Sequence, residues 1–249
     1  MTPSPIRKVL SIFRKHRVRA LLMGGQACIA YGAAEFSRDV DLAVLCSANN
    51  LARLRQALGE LAAVPVFVPP LDESYLRRGH ACHFRCQAPE VAGLRVDIMS
   101  VLRGCEDFAE LWQRRETISS RELGRINLLA LPDLVAAKKT QRDKDWPMIR
   151  RLLEADYFRH RRNPRPGQVD FWLRELRTPE LLVELVRRRP ARARRLETAR
   201  PLLRRAATGD LDRLGNALER EQEVERAADR TYWAPLRREL GLLRRSRHA

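Results

Sequence analysis

Leu21-Leu22-Met23-Gly24-Gly25, followed by Ser37-Arg38-Asp39-Val40-Asp41-Leu42-Ala43-Val44-Leu45, is the stretch on which the fold turns. The first run is apolar and ends in two glycines, after which Gln26 to Tyr31 has room for two helical turns before Gly32 stops them. That pattern predicts a strand, a tight turn and a short helix. The second run opens on two acids and continues as an apolar strand, whose period of two sends Asp39 and Asp41 to one face and Val40 to the other. Asp-x-Asp alone decides nothing, since 13 Asp in 249 residues make about one chance occurrence expected. The chain has three. Asp143-Lys144-Asp145 falls between helical stretches and Asp210-Leu211-Asp212 at a helix start, where acids cap free N–H groups and favour the dipole.

Asp39 and Asp41 lack so ordinary an explanation. Two same-face carboxylates repel each other unless a cation lies between them. Mg²⁺ takes one or two protein carboxylates together with phosphate oxygens, and a pair of such ions clamps the attacking and leaving oxygens of an in-line displacement. Asp97, between Val96 and Ile98 in an otherwise apolar strand, is the third acid that such a site calls for, because burying it without a role is costly. Gly24-Gly25 lets backbone N–H groups and a helix N-terminus approach phosphate oxygens without interference from a Cβ. Ser37 and Arg38 add a hydroxyl and a guanidinium for a triphosphate.

Working outward, Ser4-Pro5 reads as an N-cap and first helical position for a helix ending near His16, with Ile6, Val9, Leu10 and Phe13 as its apolar stripe. Asn49 and Asn50 are expected to cap a helix carrying Leu51, Leu54, Leu58 and Leu61. Val64 to Val68, His80 to Cys86 and Leu94 to Met99 suit strands, the last two adjacent. His80-x-Cys82-His83-x-x-Cys86 has the residue types of a metal site. Alternation nevertheless sets Cys82, Phe84 and Cys86 on one face and His83 with Arg85 on the other, which favours buried strand cysteines. A hairpin of Glu116 to Ile118 with Ile126 to Ala130 precedes a helix opened by Pro132 and Asp133. Beyond about residue 150 only helical patterns remain, with residues 160 to 167 as a linker and Thr178-Pro179-Glu180 as a helix start. The expected fold class is α/β (α+β): a mixed sheet flanked by helices, with a core over residues 1–155 and an Arg-rich helical region over 156–249.

The net charge is +17, and only five of the 48 basic residues are Lys. Such a balance draws polyanions, although so one-sided an Arg preference also follows from genomic base composition. Residues 187 to 205 hold nine Arg against one acid, Glu197. Arg188, Arg192 and Arg195 in this block are candidate nucleic-acid contacts, set against a solvated helix face or a partner-protein surface. The four Trp are expected to pack rather than to stack on bases. No apolar run is long enough to span a membrane, the five cysteines are odd in number and scattered, and the start is not signal-like, so a reducing cytoplasm is expected.

Taken together, the elements resemble the nucleotidyltransferase superfamily related to DNA polymerase beta. Its pattern is an apolar strand into Gly-Gly or Gly-Ser, a short helix, an Asp-x-Asp strand and a third acid on a later strand, here Arg95-Val96-Asp97-Ile98-Met99. Leu131-Pro132-Asp133-Leu134-Val135 with Lys138-Lys139 and Arg142-Asp143-Lys144-Asp145 is similar to bacterial stand-alone members, including toxin-antitoxin and abortive-infection nucleotidyltransferases. The resemblance covers about residues 5 to 155. It implies that Asp39, Asp41 and Asp97 hold Mg²⁺, two ions in all, that an NTP gives up its nucleoside monophosphate to an acceptor hydroxyl, and that pyrophosphate leaves. It further implies that a helix Lys and a later acid help hold the nucleotide. Lys138, Lys139 and Arg142 lie within about one helical turn and are read either as triphosphate contacts or as a solvated basic face. Many relatives carry Arg two residues before the Ser or Thr of the Asp-x-Asp strand, where this chain has Glu35.

Three classes stay open on the sequence: an enzyme acting on RNA such as a tRNA end, an enzyme with a protein or small-molecule acceptor, and a non-catalytic nucleotide- or RNA-binding module. A cognate protein partner is a further expectation drawn from the toxin-antitoxin likeness.

Overall fold

Alternation of burial along residues 39–42 and along Arg95–Met99 sets the centre of the molecule: Val40, Leu42, Val96 and Ile98 are buried, while Asp39, Asp41, Arg95 and Asp97 are half-buried on the other face. The computed structural model describes residues 5–34, 36–120 and 124–246. The N-cap expected at Ser4 and the acid at Glu35 lie outside the described residues.

In chain order the first elements are α1 (Pro5–Lys15), β1 (Ala20–Met23), α2 (Gly24–Ala30), β2 (Asp39–Val44), α3 (Ala48–Glu60), β3 (Val64–Pro65), α4 (Glu73–Arg77), β4 (Cys82–Arg85) and β5 (Arg95–Met99). Then follow α5 (Phe108–Gln113), β6 (Glu116–Ser120), β7 (Gly124–Leu128), α6 (Leu131–Ala137), α7 (Asp145–His160), α8 (Gln168–Glu175), α9 (Pro179–Arg188), α10 (Pro190–Leu196), α11 (Leu203–Thr208) and α12 (Leu211–Ser246). The strands form one mixed seven-stranded sheet in the order β3-β4-β5-β2-β1-β7-β6. β2 pairs antiparallel with β1 and parallel with β5, and β1 pairs parallel with β7.

The expected mixed sheet flanked by helices is therefore present, as are the β4–β5 pair, the β6–β7 hairpin and the helical C-terminal region. Two local expectations need correction. The cap of α3 is Ser47, whose side chain accepts from the Asn50 N–H. Asn50 instead points inward, 3 % exposed, where its Nδ2 donates to the Arg19 and Leu45 carbonyls and its Oδ1 accepts from the Arg19 N–H. The expected strand at Val64 to Val68 shrinks to Val64–Pro65, because Pro65 has no N–H to give to a ladder and Pro69-Pro70 follows closely.

The chain divides into two compact units, one of Met1–Ala30, Ala34–Ala137 and Thr231–Ala249, the other of Tyr31–Ala33 and Lys138–Arg230. The division after Ala137 is earlier than the sequence pattern suggests, since α7 contributes Trp146, Ile149, Leu152, Leu153 and Tyr157 to the second core. In that core the Tyr157 and Trp172 rings meet edge to face at 5.0 Å, and Trp172 Nε1 donates to Asp156 at 2.7 Å. Trp146 and Trp172 are packing residues, 4 % and 1 % exposed. In the first unit Glu239 of α12 accepts from Arg78 Nη2 at 2.8 Å and lies 2.7 Å from Nε2 of the buried His80. No helix among the described residues is long and apolar enough to cross a membrane.

Candidate active site

β1 runs into α2 without a loop, and this is possible because Gly24 takes φ +63°. The missing side chains also make room. A Cβ on Gly24 would stand 1.8 Å from Asp41 Oδ2, and one on Gly25 would stand 2.4 Å from Ser37 Oγ. Gln26 Nε2 donates to the Ser37 carbonyl at 3.0 Å, tying α2 to the segment that enters β2. Gly24, Gly25, Ser37 and Asp41 are thus brought together as the sequence pattern anticipates.

Register then defines two levels across one sheet face. Met23, Asp41, Asp97 and His83 lie side by side on β1, β2, β5 and β4, and two residues along Asp39, Arg95 and Arg85 form the next level. The opposite face carries the buried Val40, Leu42, Cys82, Phe84, Val96 and Ile98. All three aspartates therefore share a face, with Asp41 and Asp97 as direct neighbours on parallel strands. Asp97 is held closely: its Oδ1 lies 2.9 Å from His83 Nδ1, and Arg95 Nη2 donates to Oδ2 at 2.9 Å. The Phe67 and His83 rings meet edge to face, at 5.8 Å between centroids. Among the described residues the Asp39 carboxylate has no hydrogen-bond or ion-pair partner.

The donor set suits a hard divalent cation, with three carboxylates on one face and a glycine cradle that only a missing Cβ allows. In the conformation described, no three His, Cys, Asp or Glu side chains among the described residues converge tightly enough to hold an ion. Asp97 is turned to Arg95 and His83 instead. The sequence weighs His83 only as part of a His/Cys set and gives Arg95 no role, because strand register, which brings both to Asp97, is not written in it. Only the alternation that separates His83 from Cys82 hints at its exposure. The cysteines are free, with Cys28, Cys82 and Cys86 buried, and burial pushes the Cys82 thiol up to about 12. Arg38 is exposed, its guanidinium 5.7 Å from the centre of the exposed Phe36 ring.

Lys138, Lys139 and Arg142 belong to the second unit. Each is met by a carboxylate there. Lys138 Nζ lies 3.3 Å from Asp145 Oδ1, Arg142 Nε 2.8 Å from Asp145 Oδ2, and Lys139 Nζ 2.8 Å from Glu175 and 3.6 Å from Glu225. Asp145 is 3 % exposed. Burial alone would raise its pKa, but Lys138, the Thr140 hydroxyl and Arg142 outweigh that and hold it below the ordinary carboxylate value. Of the Arg-rich candidates, Arg188 pairs with Glu184 at 3.0 Å and Arg192 with Asp170 at 2.8 Å. Arg195 is exposed and has no carboxylate partner among the described residues. Arg200 is buried, donating to the Leu173 and Leu176 carbonyls at the end of α8 and to Glu221.

No protein-family model matches the chain, and no curated protein matches it. The site defines a class by its own geometry: a mixed α/β protein with a carboxylate face at the centre of its sheet beside a glycine turn.

Proposed function

We propose that the chain is a nucleotidyltransferase of the polymerase-beta-like kind, moving a nucleoside monophosphate from an NTP to an acceptor hydroxyl. One observation carries the reading: Asp41 and Asp97 stand at one level on adjacent parallel strands, with Asp39 on the same face and Gly24 pressed against Asp41. Asp39, Asp41 and Asp97 would hold Mg²⁺, which when bound polarises the α-phosphate and neutralises the departing pyrophosphate. The chain's own groups do the rest. Gly24 and Gly25 admit phosphate oxygens close to the backbone, the Ser37 hydroxyl offers a donor, and Arg38 supplies positive charge. Arg95 and His83 hold the Asp97 carboxylate until a cation replaces them.

RNA, such as a tRNA end, is the acceptor class that the basic composition favours, ahead of a protein or small molecule. A cytoplasmic setting and a cognate protein partner belong to the same reading. The pairing of Asp97 with Arg95 and His83 favours a second reading, a core that binds nucleotide without turning it over. Incubating the protein with each labelled NTP, Mg²⁺ and cell RNA or protein tests both: label in the RNA fraction is expected. Label in protein alone would move the acceptor class, and label in neither would favour the binding module.

A further inference from the structure

We propose that Arg85 and Arg95 form a subsite for a phosphate group beside the three carboxylates; its ligand class rests on the nucleotidyl-transfer reading. Arg85 of β4 stands directly opposite Arg95 of β5, and Asp39 of β2 completes the level on the other side of Arg95. Like charges directly opposite each other across a strand pair are destabilising. Asp97 meets the Arg95 charge, but no carboxylate among the described residues meets that of Arg85. Arg95 commits its Nη2 to Asp97 at 2.9 Å, yet its Nε is buried and has no hydrogen-bond partner. Such a donor forfeits its hydration without compensation. Arg85 is exposed and has no carboxylate partner among the described residues, and its neighbour on β3 is the apolar Val64.

The argument that sets a cation among the aspartates therefore sets an anion between these guanidiniums. A tetrahedral phosphate presents enough oxygens to accept from the part-exposed Arg95 guanidinium and from the Arg85 fork at once. The two levels are separated by two strand residues, about 6.6 Å. A phosphate chain or phosphodiester strand reacting at Asp41 and Asp97 reaches the arginine pair without leaving the sheet face. Two ligands carry this chemistry, the triphosphate of the NTP and the backbone of a nucleic-acid acceptor.

Calorimetric titration of the full chain without Mg²⁺, using tripolyphosphate and a single-stranded oligouridylate without terminal phosphates, separates them. Arg85→Ala is expected to weaken binding of at least one probe about tenfold and to lower the slope of log affinity against log salt by about 0.7. Arg85→Lys, which keeps the charge and loses the fork, is expected to fall between. Loss confined to oligouridylate assigns the subsite to the acceptor strand, loss confined to tripolyphosphate assigns it to the NTP, and loss of both makes it a shared phosphate site. Affinities for both probes unchanged within about twofold in Arg85→Ala would overturn the proposal. Arg85 is exposed and its removal relieves the like-charge pair, so this variant should melt at or above the parent's temperature even if Arg95→Gln does not fold. Asp41→Asn, expected to stop transfer while sparing both probes, distinguishes failure of the subsite from failure of the proposed reaction.

Discussion

Gly24 combines a positive φ with a side-chain position already filled by the Asp41 carboxylate. Gly24→Ala is accordingly expected to cost about 1 to 3 kcal/mol from backbone strain alone, with more from displacing Asp41. Urea unfolding checks this, and a midpoint equal to the parent's would show that the turn is not built as described. Asp145 supplies a second residue-scale test. Its folded pKa lies below the unfolded value of about 3.9, so its contribution is present above that value and is lost as pH falls through the folded pKa. Stability should drop on acidification below about pH 4, and more shallowly in Asp145→Asn; parallel curves would remove the linkage. At this scale the three aspartates, both glycines and Ser37 were legible, since alternation and glycine spacing are local properties. Asp145 read as an acid between helical stretches, and its role as anchor for Lys138 and Arg142 was hidden because it depends on how the 138–144 loop folds back on the start of α7.

At the scale of elements, strand order and the pairing of chain neighbours followed from periodicity and turns, while the pairing of distant strands did not. The β4–β5 adjacency was legible, but no local signal gives its register or says that β5 lies against β2, so the Asp97–His83 and Arg85–Arg95 neighbours could not be found in the sequence. Asn50 shows the same limit: its composition suits a cap, but its tertiary bonds join the start of β1 to the end of β2. Asn50→Ala should cost about 1 to 3 kcal/mol by stranding backbone groups. Asn49→Ala, at an exposed position, should stay within about 0.5 kcal/mol. Equal effects in chemical denaturation would restore Asn49 as the more important residue.

Across the whole molecule the excess of 17 positive charges is not evenly available. Arg188 and Arg192 already have acidic neighbours and Arg200 is buried, whereas Arg189, Arg194, Arg195 and Arg205 are exposed with no carboxylate partner among the described residues. The sequence showed the density of this block; the Arg188–Glu184 pair is helical i,i+4 spacing within α9, whereas Arg192–Asp170 arises from packing of α10 on α8. If the block binds RNA, reversing Arg194 and Arg195 to Glu should flatten the salt dependence more than reversing Arg188 and Arg192. Equal slopes would remove the free arginines from RNA recognition. The central claim concerns the carboxylate face, and its most direct test is Mg²⁺-dependent pyrophosphate release from NTP in the presence of RNA, parent against Asp41→Asn. The account predicts release that requires Mg²⁺ and falls by at least about a hundredfold in the variant; undiminished release from Asp41→Asn, or none from a folded parent with any NTP, would contradict it.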